Sequence, residues 1–224
     1  MNKKQLFLWS LYDFAKSVVF INFLLYFTQW LVIDGGVSDF WYNAIFAITT
    51  AFLFLTAPTL AAITDRFGGR KYFLNISTIC VFLSYGMAGA LATFGFQNIY
   101  CIALFFLIGQ YFYQLSFVFY NSMLSDVAEL EYRGRASGIG QFSNSLGQVV
   151  GLAITLPLSD SRTAPLLPAV GLFFVLALPM MMYFKESKLR ERVVSIRMVK
   201  EETKHFVKKF VAFFTVSTAT PILV

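Results

Sequence analysis

The chain has 224 residues, 58% of them hydrophobic, 18% aromatic and only 13% charged, with 18 basic against 12 acidic side chains and a formal net charge of +6. Soluble domains carry roughly 25% charged residues, so this composition excludes a disordered chain, a collagen-like fibre and a nucleic-acid-binding globule. It leaves an integral membrane protein.

A helix crossing the hydrocarbon core needs about 20 mostly apolar residues. Lys3 and Lys4 precede the first apolar stretch as in a signal peptide, but Asp13 and Lys16 interrupt it and no small-x-small cleavage site follows. It reads as an uncleaved first span. Six spans are expected: Ser10 to Ile33, Trp41 to Ile63, Tyr72 to Thr93, Ile99 to Leu124, Ser137 to Leu158 and Ala164 to Phe184. Short connections at Gly35-Gly36, Gly68-Gly69, Gly95 and Asp160 to Arg162 separate them by turn chemistry and polarity. The runs are continuously apolar, which argues against the strict alternation of barrel strands. The fold class is all-α and polytopic. Cys80 and Cys101 lie in or beside apolar runs and read as small hydrophobes, so neither a disulfide framework nor a zinc site is expected.

Basic residues near span ends accumulate on the cytoplasmic side. With a cytoplasmic N-terminus and six spans, 17 of the 18 basic residues fall inside and only Arg162 falls outside, where Asp34 and Asp39 also lie. Residues 1–184 are therefore expected to form a six-span bundle in the cell (inner) membrane. Residues 185–209, with nine basic and four acidic side chains, read as a cytoplasmic linker held near anionic headgroups. The linker lacks interleaved aromatics and any nucleic-acid-binding module, so no nucleic-acid partner is expected. Residues 210–224 are apolar but too few to span, and read as the start of an incomplete seventh helix.

Three segments carry a family likeness: Leu11-Tyr12-Asp13-Phe14-Ala15; Thr64-Asp65-Arg66-Phe67-Gly68-Gly69-Arg70-Lys71; and Phe119-Tyr120-Asn121-Ser122-Met123-Leu124-Ser125-Asp126, leading into Arg133-Gly134-Arg135-Ala136-Ser137-Gly138. From about Trp9 to Phe184 the chain resembles the major facilitator superfamily, and within it the vacuolar amino-acid effluxers of fungi. Lys16 stands where that pattern has a small polar Asn, and Ala61 where the loop signature begins with Gly. The resemblance implies one six-helix half of a twelve-helix transporter, with a missing C-terminal half or a second copy as partner. It also implies a small polar solute, amino acids by preference, as substrate. A sugar and cation symporter of a related branch, or a truncated transport-incompetent membrane scaffold, are the alternatives.

Candidate site residues follow from helical spacing. Asn22, Tyr26 and Gln29 share one face of the first span, and the resemblance assigns that face to a substrate cavity. Gln110, Gln114 and Asn121 form a narrow stripe on the fourth span, suited either to a cavity or to bonds with neighbouring helices. Asp13 and Lys16 lie about half a turn from Asn22 and are placed near the cytoplasmic gate. There Asp13 exchanges a proton or accepts a cation, or else the two simply pair and snorkel to the headgroups. On the fifth span a small-residue stripe, Ala136, Gly140, Gly147 and Gly151, runs beside Gln141, Ser145 and Gln148. Asp65, Arg66 and Arg70 are read as a latch closing on Asp126 or Glu129; a tight turn with topology-setting charges is the simpler reading.

No enzyme is expected. His205, the sole histidine, lies in the linker, so no Ser-His-Asp or Cys-His arrangement can form within the bundle. No phosphate-cradling glycine loop, cofactor or metal cluster is indicated either.

Overall fold

The computed structural model describes residues 2–186. The linker beyond Glu186 and the expected seventh-helix start at 210–224 lie outside the described residues. Every regular element described is helical: α1 Lys3–Asn22, α2 Asp39–Phe67, α3 Arg70–Thr93, α4 Ile99–Ser122, a short α5 Leu124–Val127, α6 Arg133–Thr155 and α7 Leu166–Tyr183. Single 3-10 turns precede and follow α6 at Leu130–Tyr132 and Leu156–Leu158.

The spans expected from hydropathy coincide with α1, α2, α3, α4, α6 and α7, with ends displaced by a few residues. The largest displacement is in α1, which begins at Lys3 rather than Ser10 because the Asn2 side chain accepts the Lys4 and Gln5 amides and caps the helix. Five of these helices are long and apolar enough to cross a membrane. The exception is α6, which is long enough but rich in glycine, serine and amides.

Contacts run in the order α6, α1, α7, α3, α4, α2. α1 lies between α6 and α7, α3 between α7 and α4, and α2 leans on α4 with most of its surface turned outward. α1 and α4 meet mainly through long side chains: Trp9 stacks on Tyr120 at 4.4 Å between centroids and 7° between planes, and Phe20 stacks on Tyr113 at 5.7 Å. The core between α1, α3 and α4 is a continuous aromatic stack, in which Phe23 faces Tyr85 at 4.2 Å and Phe27 faces Phe106 at 4.6 Å.

The α1/α6 seam is the opposite case, with backbones in close approach. The small stripe expected on the fifth span, Ala136, Gly140, Gly147 and Gly151, is buried against α1. A methyl at Gly147 would collide with the Phe14 carbonyl oxygen and come within 3.0 Å of the Phe14 Cα, both rigid backbone atoms.

Beyond Asn22 the first span leaves α-helical geometry. Phe23–Phe27 and Trp30–Asp34 are π-helical, closed by bonds five residues apart from Thr28 N to Phe23 O and from Gly35 N to Trp30 O. Between α2 and α3 the chain reverses on Gly68 and Gly69, whose φ angles of 79° and 86° are costly for any other residue.

Gly147→Ala is expected to lower stability by about 1–3 kcal/mol through forced separation of α1 and α6. Gly138→Ala, with nothing within 4 Å of its new methyl, should leave stability unchanged or raise it through helix propensity by about 1 kcal/mol. Thermal midpoints of the two variants in detergent check the pair.

Candidate functional site: a buried charged centre on the first helix

Asp13 and Lys16 project from adjacent turns of α1, which runs with its π-helical extension over 32 residues to Asp34. Both lie inside the helix, about three to four turns beyond Lys3. Asp13 is 6% exposed and Lys16 1% exposed, so neither snorkels to a headgroup.

They face different neighbours. The Lys16 ammonium turns to α4, donating to Ser116 Oγ at 2.7 Å and to the Tyr113 carbonyl oxygen at 3.1 Å. It also lies 3.0 Å from the Phe117 ring centroid and 4.4 Å from that of Tyr113, a cation–π arrangement. Asp13 turns to α6, where Asn144 Nδ2 donates to its Oδ1 at 3.3 Å and Gln148 in turn donates to Asn144 at 2.9 Å. Around them Tyr12 exchanges a 2.7 Å bond with Thr78 of α3, and the Trp9 indole donates to the Tyr120 carbonyl oxygen at 3.0 Å. One carboxylate and one ammonium are thus held inside a largely apolar bundle, with two half-buried amides and several hydroxyls around them. Such a group of ionisable residues at depth is costly unless it works.

The predicted cavity residues are not brought together. Asn22 is fully buried and accepts Thr155 Oγ1 at 2.6 Å, which makes it a bond between α1 and α6. Tyr26 is half-buried and Gln29 exposed. The even helical step that put the three on one face fails because the intervening π turn takes about one extra residue. Gln110 accepts Tyr85 Oη at 2.6 Å, a bond to α3, and Gln114 donates to Thr49 Oγ1 of α2 at 3.2 Å. Asn121 is exposed at the end of α4. The fourth-span amides therefore point to two neighbouring helices as well as outward, which is the helix-bonding alternative for Gln110 and Gln114.

Arg70 meets residues at the ends of two other helices. Its Nη2 pairs with Asp65 at 2.9 Å, and its Nη1 lies 4.0 Å from Asp126 and 3.3 Å from both the Ser122 carbonyl and Ser125 Oγ. These contacts tie the starts and ends of α2, α3 and α4 together. Glu129 is exposed, and the Arg66 side chain lies outside the described residues. At the far end of the bundle Arg162 pairs with Asp34 at 2.7 Å. A pocket of about 550 Å³ also opens there, between the α1–α2 turn and the start of α4. It is lined mainly by Val37, Trp41, Ile45, Ile99 and Tyr100, and contains none of the candidate site residues.

Sequence reasoning missed Asn144, Ser116, Phe117 and Glu186. The Glu186 carboxylate accepts the Arg70 and Lys71 amides at 2.9 and 3.2 Å, while Lys71 Nζ donates to the Met182 and Phe184 carbonyl oxygens at 3.1 and 2.8 Å, a reciprocal clasp of α3 and α7. Spacing on single helices carries no signal for contacts of this kind, since each depends on which helices become neighbours.

The family model of the Major Facilitator Superfamily matches residues 10–224. The chain belongs to that superfamily. No curated protein and no solved structure matches the chain. As a superfamily member it is a multi-pass membrane transporter that binds small-molecule substrates within the membrane, and its helices form a half-domain of the superfamily fold.

Asn22→Ala is expected to lower stability by about 1–2 kcal/mol, because it leaves the buried Thr155 hydroxyl without its amide partner. Gln29→Ala, exposed, should stay within about 0.5 kcal/mol of the parent. Thermal unfolding of both variants distinguishes a helix-bonding Asn22 from a cavity residue.

Proposed function

We propose that the chain is the N-terminal half of a secondary active transporter that moves a small polar solute, amino acids by preference, by alternating access. The observation that carries this reading is the charged centre: Asp13 and Lys16 buried at mid-helix, walled by ring faces, amides and hydroxyls. Coupling solute movement to an ion gradient needs a group at depth that changes charge or partner between the two facing states, and Asp13, which accepts from Asn144 at 3.3 Å beside Lys16 and Tyr120, is placed to be that group. Asp13 is the coupling residue in this reading, with Lys16 as its counter-charge. The resemblance to effluxers points to amino acids, and Tyr26 and Gln29, on the part of the first span beyond Asn22, remain the residues proposed to meet the solute.

The Arg70 cluster is the proposed latch. Its bonds to Asp65 and toward Asp126 close one end of the bundle in the state seen here and break when that end opens.

A second six-helix unit, the C-terminal half or another copy, is proposed to cover α6. The outward face of this helix carries Gly134, Gly138, Gln141 and Ser145, all exposed and spaced at helical intervals. A stripe this small and polar suits a protein neighbour better than lipid.

In proteoliposomes, Asp13→Asn is expected to abolish accumulation of labelled amino acids driven by a proton or cation gradient while sparing solute exchange at equilibrium. Gradient-driven uptake at the parent rate would rule out Asp13 as the coupling residue, and uptake of labelled sugars in place of amino acids would reassign the substrate.

The chain is proposed to sit in the cell membrane with its N-terminus in the cytoplasm, as its basic residues suggest. Single cysteines at Asp34 and Asp160 should then react with a membrane-impermeant maleimide in intact cells, and one at Gly68 should not. The reverse pattern would invert the orientation.

A further inference from the structure

The surroundings of the Lys16 ammonium are those of a cation-binding site. A hydroxyl oxygen at 2.7 Å, a carbonyl oxygen at 3.1 Å and two ring faces converge on Nζ, with the Asp13 carboxylate one turn earlier on the same helix. Oxygen donors and aromatic faces are the groups by which proteins hold unattached monovalent cations. The site is not a by-product of close helix packing. Where α1 meets α6 the backbones touch through glycine, whereas α1 and α4 stand apart and this gap is filled by Lys16, Phe20, Tyr113 and Phe117.

We infer that the space between α1 and α4 is a monovalent-cation site whose occupant is the chain's own lysine, tethered through its butyl stem. While Lys16 is in place, a second cation is kept out by the ammonium and by the lack of room at a side chain 1% exposed. Shortening the side chain vacates the site and leaves Asp13 as an uncompensated buried carboxylate, which is strongly unfavourable and therefore draws in a free cation. Sodium, or a small ammonium such as methylammonium, is the class of ligand the oxygens and rings accept. The inference rests on the proposed role of Asp13 and Lys16 as one charged centre, but not on the identity of the solute.

The test uses the full chain, purified in detergent, with thermal midpoints measured in sodium, potassium, methylammonium and choline chloride at equal ionic strength, alongside binding of radiolabelled sodium. The parent protein is expected to give the same midpoint in all four salts and no specific sodium binding. Lys16→Ala should gain several degrees in sodium or methylammonium over choline, saturably in the millimolar range, and bind radiolabelled sodium. Lys16→Gln, which keeps part of the stem but no charge, should show a smaller shift of the same kind. The double variant Asp13→Asn with Lys16→Ala should lose most of it.

A cation-dependent shift in the parent equal to that of the variants would overturn the inference, as would folded variants that do not respond to any cation. Failure of both single variants to give monodisperse, helical protein even in methylammonium would overturn it too, since the site is claimed to accept a free cation. Ion binding is read without any solute, so a negative uptake result for Asp13→Asn and a negative ion response here are separate outcomes.

Discussion

The arrangement of the bundle turns on one constraint: an ammonium and a carboxylate on adjacent turns of one helix must be satisfied where water is scarce. An unpaired buried charge costs several kcal/mol, and α1 cannot meet this demand alone, because its own backbone groups are committed to helical bonds. The demand is met from two sides. α4 supplies a hydroxyl, a carbonyl oxygen and ring faces for Lys16, and α6 supplies an amide for Asp13. The first helix, packed between α6 and α7, is thereby also tied to α4 through its charged side chains.

The two seams of α1 differ in kind. Against α6 the glycines let backbones touch, and interiors packed at such density resist small displacements. Against α4 the contact is carried by long side chains and by a single ammonium, which can change partners without the helices having to part. The latch at Arg70 adds a polar contact that is directional and easily exchanged for water, while the clasp of Glu186 and Lys71 binds α3 to α7 at the same end. Besides its packing on α7, α1 thus has a tightly packed seam on α6 and a looser, side-chain-mediated one on α4. That is a suitable layout for helices that rock around a site at mid-depth.

The π-helical half of α1 has a similar bearing. Stretches of this kind are rare and concentrate at functional sites. Here the first of them carries Tyr26, Gln29 lies between the two, and Thr28 bonds Tyr42 of α2 at 2.7 Å. The spacing rule that grouped these residues with Asn22 assumes a uniform helix, and the π turn breaks that assumption between them.

Much of the fold was therefore legible from local chemistry. Apolar length set the number of long helices, glycine pairs marked the reversals, and the acidic and basic residues around Gly68 marked the place where α2, α3 and α4 are tied. The chain also betrayed Asp13 and Lys16, because a charge inside an apolar run is conspicuous whatever surrounds it. Only the tertiary structure decided what those charges meet, since Ser116 lies 100 residues from Lys16 and Asn144 lies 131 from Asp13, and these residues and Phe117 look ordinary on their own helices. It alone separated the amides that join helices, Asn22, Gln110 and Gln114, from those left exposed, Gln29 and Asn121. The physical reason is that hydropathy and helical period are properties of one segment at a time, whereas the satisfaction of a buried polar group depends on which segments become neighbours and at what distance.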